Sequence, residues 1–253
     1  MTPAAGIEIA AAGVAAGLVN VVAGSGSLIT FPLLLALGYS PVVANVSNNV
    51  GLVPASIGAA VTQRRELVGS PRHLAVLLAT AAVGGCAGGV LLVFLPGSVF
   101  ERVVPYLILL AAALMAARPR LAARARAAGA EDGDEPGAPA WLPVALFGAA
   151  VYSGYFGAAV GVIVLSLLAA GLTEGIHRLN VWKNAVVGLS NATAAVVFVA
   201  VSHVEWVVAG ILAVSSLVGG QLGVHVGKRV PPAVLRAVVV AVGVVVAVVL
   251  LVN

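Results

Sequence analysis

Residues 20–56 read NVVAGSGSLITFPLLLALGYSPVVANVSNNVGLVPAS, a run too apolar for a soluble surface yet interrupted by polar residues and helix breakers. Gly24-Ser25-Gly26-Ser27 comes first, then Pro32, then Asn45, Asn48 and Asn49, and finally Pro54. In hydrocarbon each unsatisfied backbone or amide group costs several kcal/mol, so a broken, asparagine-bearing segment persists only where it lines protein or a cavity. The Gly-Ser turn can end one short helix and begin another. That leaves the free N–H groups of a helix N-terminus at membrane depth, where they can bind an anion.

The same design recurs later in the chain. A constant offset of 135 positions lays the second half on the first without a gap, matching Gly26 with Gly161, Asn45 with Asn180 and Asn49 with Asn184. It also pairs Gly13 with Gly148, Gly84 with Gly219, Gly85 with Gly220, Gly88 with Gly223 and Pro96 with Pro231. Valine matches carry little weight in so biased a sequence. Glycine, asparagine and proline matches carry more, because these residues mark special backbone or polar positions. The chain therefore reads as a duplication.

Composition sets the environment. Of 253 residues, 61% are hydrophobic and 9% charged, with a mean hydropathy of +1.13; a soluble domain carries about 25% charged residues. This is the composition of an integral membrane protein. The longest polar stretch, residues 118–140, is Arg-rich and then Asp/Glu/Gly/Pro-rich, and reads as a flexible linker. The net charge of +4 fits basic cytoplasmic loops rather than a nucleic-acid partner. Cys86 is the sole cysteine, so no intrachain disulfide forms. The first ten residues, MTPAAGIEIA, lack the basic region of a signal peptide, and the first apolar segment is taken as part of the mature protein.

Apolar segments fall at 7–22, 28–37, 42–62, 73–95 and 100–117, then at 141–156, 160–172, 176–202, 206–227 and 233–252. Spanning takes about 20 helical residues, so the first two of each half are short and the other three suffice. Arg64, Arg65 and Arg72 follow the third segment, whereas the equivalent stretch at 202–205 has no basic residue. Arg118, Arg120, Arg124 and Arg126 follow the fifth segment, and Lys228, Arg229 and Arg236 lie around the junction of the ninth and tenth. The positive-inside rule then puts the first loop in the cytoplasm and its counterpart outside, so the halves are inverted and both termini lie outside. Each half makes an odd number of crossings, either as five thin helices or as three full helices plus a re-entrant hairpin. Inverted repeats with interrupted helices are a transporter signature.

The expected fold is thus all-α and polytopic, with two inverted repeats at 1–118 and 141–253 joined by a flexible cytoplasmic linker at 119–140. Candidate substrate contacts follow from the broken segments. They are Gly24, Ser25, Gly26 and Ser27 with Gly161 at the turns, Asn45, Asn48 and Asn49 on one helical face, and Asn180, Lys183 and Asn184 on its counterpart. Lys183 stands where the first half has Asn48. A lysine at mid-membrane costs roughly 3 kcal/mol and needs a partner, for which a substrate anion would serve; snorkelling to the interface is the plainer role. Asn191, the counterpart of Ser56, continues the face inward as a contact or as an interhelical bond. The ladders Gly84-Gly85-Cys86-Ala87-Gly88-Gly89 and Gly219-Gly220-Gln221-Leu222-Gly223 read as close helix packing, with Gln221 as an interhelical bond or a pore contact.

All nine acidic residues lie at segment ends or in the linker, so no carboxylate offers a proton relay at depth. The histidines also sit near segment ends. Neither metal ligands, nor a nucleophile–base pair, nor a phosphate loop appears, so neither catalysis nor a cofactor is expected. The expected partners are a small anion and the lipid bilayer, with no nucleic acid. An anion channel on the same fold is the alternative to a carrier, and the oligomeric state, a homo-oligomer included, stays open.

These residues carry a resemblance. AGSGSLITFPLLLALGYSPVVANVSNNVGLVPAS in the first half, with YSGYFGAAVGVIVLSLLAAGL and IHRLNVWKNAVVGLSNATAAVVF in the second, resemble the TauE/SafE family of sulfite and organosulfonate exporters, within the toluene sulfonate uptake permease superfamily. The likeness covers nearly the whole chain outside the linker. It implies a multi-pass bacterial inner-membrane carrier for sulfite, thiosulfate or a short organosulfonate. The second half departs from the family's glycine-rich turn with Ala158-Ala159-Val160, and has Leu167 in place of Pro32.

Overall fold

The computed structural model describes residues 2–67, 71–131, 139–226 and 232–252. These form ten α-helices and one 3-10 turn, with no strand among the described residues. The helices are α1 (Pro3–Ala23), α2 (Ser27–Ala36), α3 (Pro41–Thr62), α4 (Pro71–Phe94), α5 (Gly97–Glu131), α6 (Trp141–Tyr155), α7 (Val160–Gly171), α8 (Ile176–Val201), α9 (Trp206–Val226) and α10 (Pro232–Val252); the 3-10 turn is Arg64–Leu67. Among the described residues five helices are long and apolar enough to cross a membrane: α1, α4, α5, α8 and α9.

The expected short segments are short in α2, α6 and α7, at 10, 15 and 12 residues, but not in α1, which has 21. Apolarity alone placed its start at residue 7. The helix begins earlier because Pro3 fits the first turn and the Thr2 Oγ1 caps it, accepting from the Ala5 N–H at 3.3 Å. The stretch expected as a linker is helical in its first part, since α5 continues through the arginine-rich residues to Glu131. Asp132, Asp134, Glu135, Lys228, Arg229 and Pro231 lie outside the described residues.

Packing crosses between the halves. α1 lies chiefly on α9, and α6 on α4; α3 packs on α9 and α8, and α8 in turn on α4. A shift of 135 positions turns the first of these contacts into the second. The glycine ladders make the approach close. A Cβ on Gly219 of α9 would fall 2.0 Å from the Val14 O of α1, and one on Gly88 of α4 would fall 2.1 Å from the Val151 O of α6. Gly85 would meet the Ser190 O of α8 at 2.1 Å, and its counterpart Gly220 would meet the Ala55 O of α3 at 3.1 Å. Gln221 joins the same surface, accepting from the Thr62 Oγ1 at 3.0 Å, which makes it an interhelical bond.

A pair of substitutions separates packing from helix propensity. Gly85→Ala forces two backbones apart and is expected to cost about 1–3 kcal/mol. Gly148→Ala, where nothing lies within 4 Å of the new methyl, is expected to be neutral or to stabilise by up to about 1 kcal/mol. Thermal unfolding of the two variants in detergent checks this, and equal melting temperatures would count against the ladder as a packing device.

Candidate functional site

Two helices break, and the breaks touch at Gly24 and Gly161. α1 ends at Gly24, whose φ of 76° ends the helix and whose N–H returns to the Asn20 and Val19 carbonyls. The chain then doubles back, so that Gly26 lies against α1 itself, a Cβ there falling 2.4 Å from the Ala16 O. At the second break Gly157 has φ 74° and Ala159 has φ 58°. Ala159 stands 135 positions after Gly24, so the two turns share a left-handed residue even though only one of them is glycine. For alanine that backbone costs roughly 1–2 kcal/mol.

Between the breaks there is room for glycine only. The Gly161 N–H donates to the Gly24 O at 3.1 Å, and a Cβ on either residue would sit 2.4 Å from the other's Cα. This alters the expectation of two helix N-termini offering amides side by side, because the first amides of α7 are spent on Gly24, Gly157 and Ala159. At the start of α2 the Leu28 and Ile29 N–H groups close onto the Ser25 and Gly26 carbonyls. Those of Ser25, Gly26 and Ser27 have no hydrogen bond among the described residues. Ser25 and Gly26 are buried and Ser27 is half-buried; the Ser25 hydroxyl makes only a weak contact to the Met115 Sδ at 3.7 Å.

The polar faces of α3 and α8 each reach the break of the opposite half. The Asn45 Nδ2 donates to the Tyr155 O, the last residue of α6, at 2.9 Å. The Lys183 Nζ donates to the Val21 O in the last turn of α1, also at 2.9 Å, and this lysine is only 1% exposed. An ammonium on the carbonyl end of a helix meets the negative pole of its dipole, which accounts for a buried lysine better than snorkelling does. Asn48 accepts from the Thr30 hydroxyl in a short bond, and the Ser47 Oγ accepts from the Glu205 N–H at 2.9 Å. Phe31 of α2 and Phe156, the residue after α6, meet edge to face with centroids 5.3 Å apart.

Two atoms on these faces are left over. The Asn49 Oδ1 and the Asn184 Nδ2 are buried and have no hydrogen-bond partner. They belong to residues 135 positions apart, one on each half. A buried amide without a partner costs about 1–3 kcal/mol, and native structures keep such groups where a water or ligand serves them.

Of the residues singled out in the sequence, Gly24, Ser25, Gly26, Gly161, Asn45, Asn48 and Lys183 lie at the breaks or bond to residues there, with Asn49 and Asn184 next to them along α3 and α8. Asn180 is half-buried one turn nearer the start of α8. Asn191 lies farther along and accepts from the Ser153 Oγ at 2.7 Å, tying α8 to α6. Asn191→Ala takes the acceptor from that buried hydroxyl and is expected to lower stability by about 1 kcal/mol, read as a melting temperature without ligand; no change would show that Ser153 finds another acceptor. Sequence reading passed over Asn20 and Thr30. Asn20 donates to the Ser56 Oγ at 2.9 Å, bonding α1 to α3. The signal for both was present, since Asn20 stands one turn before Gly24 and Thr30 one turn after Gly26.

Comparison with known proteins gives this architecture a family. Residues 9–250 match the protein family described as Sulfite exporter TauE/SafE. A probable membrane transporter protein of Haemophilus influenzae is 25% identical over 221 residues, which cover 83% of this chain and 80% of that protein. The probable membrane transporter protein YfcA of Escherichia coli (strain K12) is 26% identical over 211 residues, 82% of this chain and 75% of that one. No solved structure matches the chain.

Proposed function

The chain belongs to the sulfite exporter TauE/SafE family of membrane transporters, and from that premise we propose that it carries a small sulfur-containing oxyanion (sulfite, thiosulfate or a short organosulfonate) across the bacterial inner membrane by alternating access. The observation that carries the proposal is the buried Asn184 Nδ2, a donor without a hydrogen-bond partner one residue from Lys183; the equivalent orphan of the other half, Asn49 Oδ1, is an acceptor and serves an oxyanion only in its protonated form. An oxyanion offers several acceptor oxygens. Lys183, the amide of Asn184 and the start of α2 offer donors, and hydrogen bonds between an ion and a polar group are about twice as strong as neutral ones.

Motion follows from what Lys183 holds. It ties α8 of the second half to α1 of the first through a neutral carbonyl. A substrate anion competes for the same ammonium, so loading weakens a tether between the halves and frees them to move. The 135-residue offset, the shared left-handed turn and the exchanged packing of α1 on α9 and α6 on α4 support two repeats. The arginines at 64 and 65 support their inverted orientation, with both termini outside and a lipid bilayer around the apolar faces. No acidic side chain is buried among the described residues, so coupling is placed in the protonation of the anion itself, or is absent.

Counterflow tests this reading. Proteoliposomes loaded with unlabelled sulfite or sulfoacetate are expected to take up the labelled anion faster than empty ones, and uptake should saturate. Conductance that neither saturates nor exchanges would replace the carrier with a channel.

A further inference from the structure

An open cleft of about 620 Å³ lies between the end of α3 and the start of α8, lined by Val61, Thr62, Gln63, Arg64, Arg65 and His177. Its charge comes from Arg64 and Arg65, both exposed. The nearby Arg178 is already engaged, paired with Glu174 at 2.8 Å and stacked over the Trp182 ring at 5.3 Å. Gln63 brings an amide whose Oε1 is buried without a hydrogen-bond partner. The first turn of α8 also opens here, capped by Gly175 with no side-chain hydrogen bond.

The lining of the cleft ends at His177, and polar residues continue from there along α8. His177, Asn180 and Asn184 are spaced three and four residues apart on α8, which puts them on one face of the helix. Along this line burial rises from exposed His177 through half-buried Asn180 to buried Asn184, over an axial distance of about 10 Å. One face of α8 thus carries a line of polar residues from the basic cleft to the orphaned amide.

We infer that the cleft is an oxyanion vestibule: Arg64 and Arg65 draw a small anion from solution, and His177 and Asn180 pass it along α8 to Asn184 and Lys183. What it delivers to rests on the carrier reading above, whereas attraction of anions to Asn180 is a property of the cleft alone. A cleft lined by one sign of charge raises local counter-ion concentration and on-rates by roughly 10- to 1000-fold.

The test replaces the exposed Cys86 by Cys86→Ser and adds Asn180→Cys. Its thiol is then labelled with two methanethiosulfonates of similar size, one bearing a sulfonate and the other a trimethylammonium. Relative to their rates with free 2-mercaptoethanol, the anionic reagent is expected to be favoured about tenfold or more, and Arg64→Gln with Arg65→Gln to bring the ratio back towards one. A ratio of one from the outset, or one unmoved by the arginine substitutions, overturns the vestibule. Should Asn180→Cys not fold, His177→Cys reads the same ratio at the mouth. A preference seen in phosphatidylcholine vesicles and lost in phosphatidylglycerol vesicles assigns the cleft to a lipid headgroup and likewise overturns it. Labelling needs no transported substrate: preference without sulfite counterflow supports the vestibule and counts against the carrier reading, while counterflow without preference does the reverse.

Discussion

Lys183→Met is expected to lower saturable anion exchange by about 100-fold, the equivalent of roughly 3 kcal/mol of lost interaction, while leaving the protein folded. The two effects separate because they have different causes. Exchanging a buried charge for an apolar side chain of similar length is often neutral for stability. What the fold loses includes the donor to the Val21 O, a carbonyl in the last turn of α1 that no helical N–H reaches. On the proposed function the substrate, in contrast, loses its charged donor, and a charged hydrogen-bonding partner removed from a desolvated site costs about 2–5 kcal/mol. The assay is initial-rate counterflow at matched reconstituted protein, with the melting temperature taken alongside. Wild-type exchange by the methionine variant would make Lys183 a helix cap and nothing more.

Gly24→Ala is expected to combine a backbone clash with left-handed strain, costing about 2–5 kcal/mol as their sum. The new Cβ falls 2.4 Å from the Gly161 Cα, and the residue already has φ 76°. A flexible side chain could turn aside, but the obstacle is backbone, held by the bond from the Gly161 N–H to the Gly24 O. Gly38 provides the control. Its φ is 88° and nothing lies within 4 Å of a Cβ there, so Gly38→Ala pays only the strain, about 1–2 kcal/mol. Gly161→Ala should resemble Gly24→Ala in its clash without the strain. Melting temperatures of the three variants in detergent give the ranking, and equal losses at positions 24 and 38 would mean that the two breaks are not in contact.

Much of this was legible in residues 20–56. Gly24 and Gly26 mark the break because nothing else meets the backbone demands there, and the asparagines mark the polar face because no membrane helix carries three without a use. The offset of 135 even aligned the left-handed positions, although Ala159 disguised the second one. What stayed hidden was of two kinds. Backbone partners leave no trace in sequence: that Lys183 ends on the Val21 carbonyl and Asn45 on that of Tyr155 follows only once α8 crosses to α1 and α3 to α6. Partner exchange is equally silent, since Gly13 and Gly219 announce close packing without saying that α1 chooses α9. The full length of α1 was missed for a simpler reason: Thr2 and Pro3 start a helix through capping, which a count of apolar residues ignores. Asn20 was passed over as a flank of the turn, although it is a buried bond to Ser56.

Central to the proposed function is that an oxyanion accepts from the Asn184 Nδ2, which has no partner within the protein. Calorimetry on purified protein with sulfite, thiosulfate, taurine, sulfoacetate and chloride tests this directly, using wild type, Asn49→Ala and Asn184→Ala. The prediction is that one sulfur oxyanion binds and chloride does not, and that Asn184→Ala weakens binding about tenfold or more, as loss of a hydrogen bond to a charged group requires; Asn49→Ala removes an acceptor and is expected to leave binding of the deprotonated anion unweakened. Binding of none of these anions, or binding that a folded Asn184→Ala leaves untouched, would contradict it.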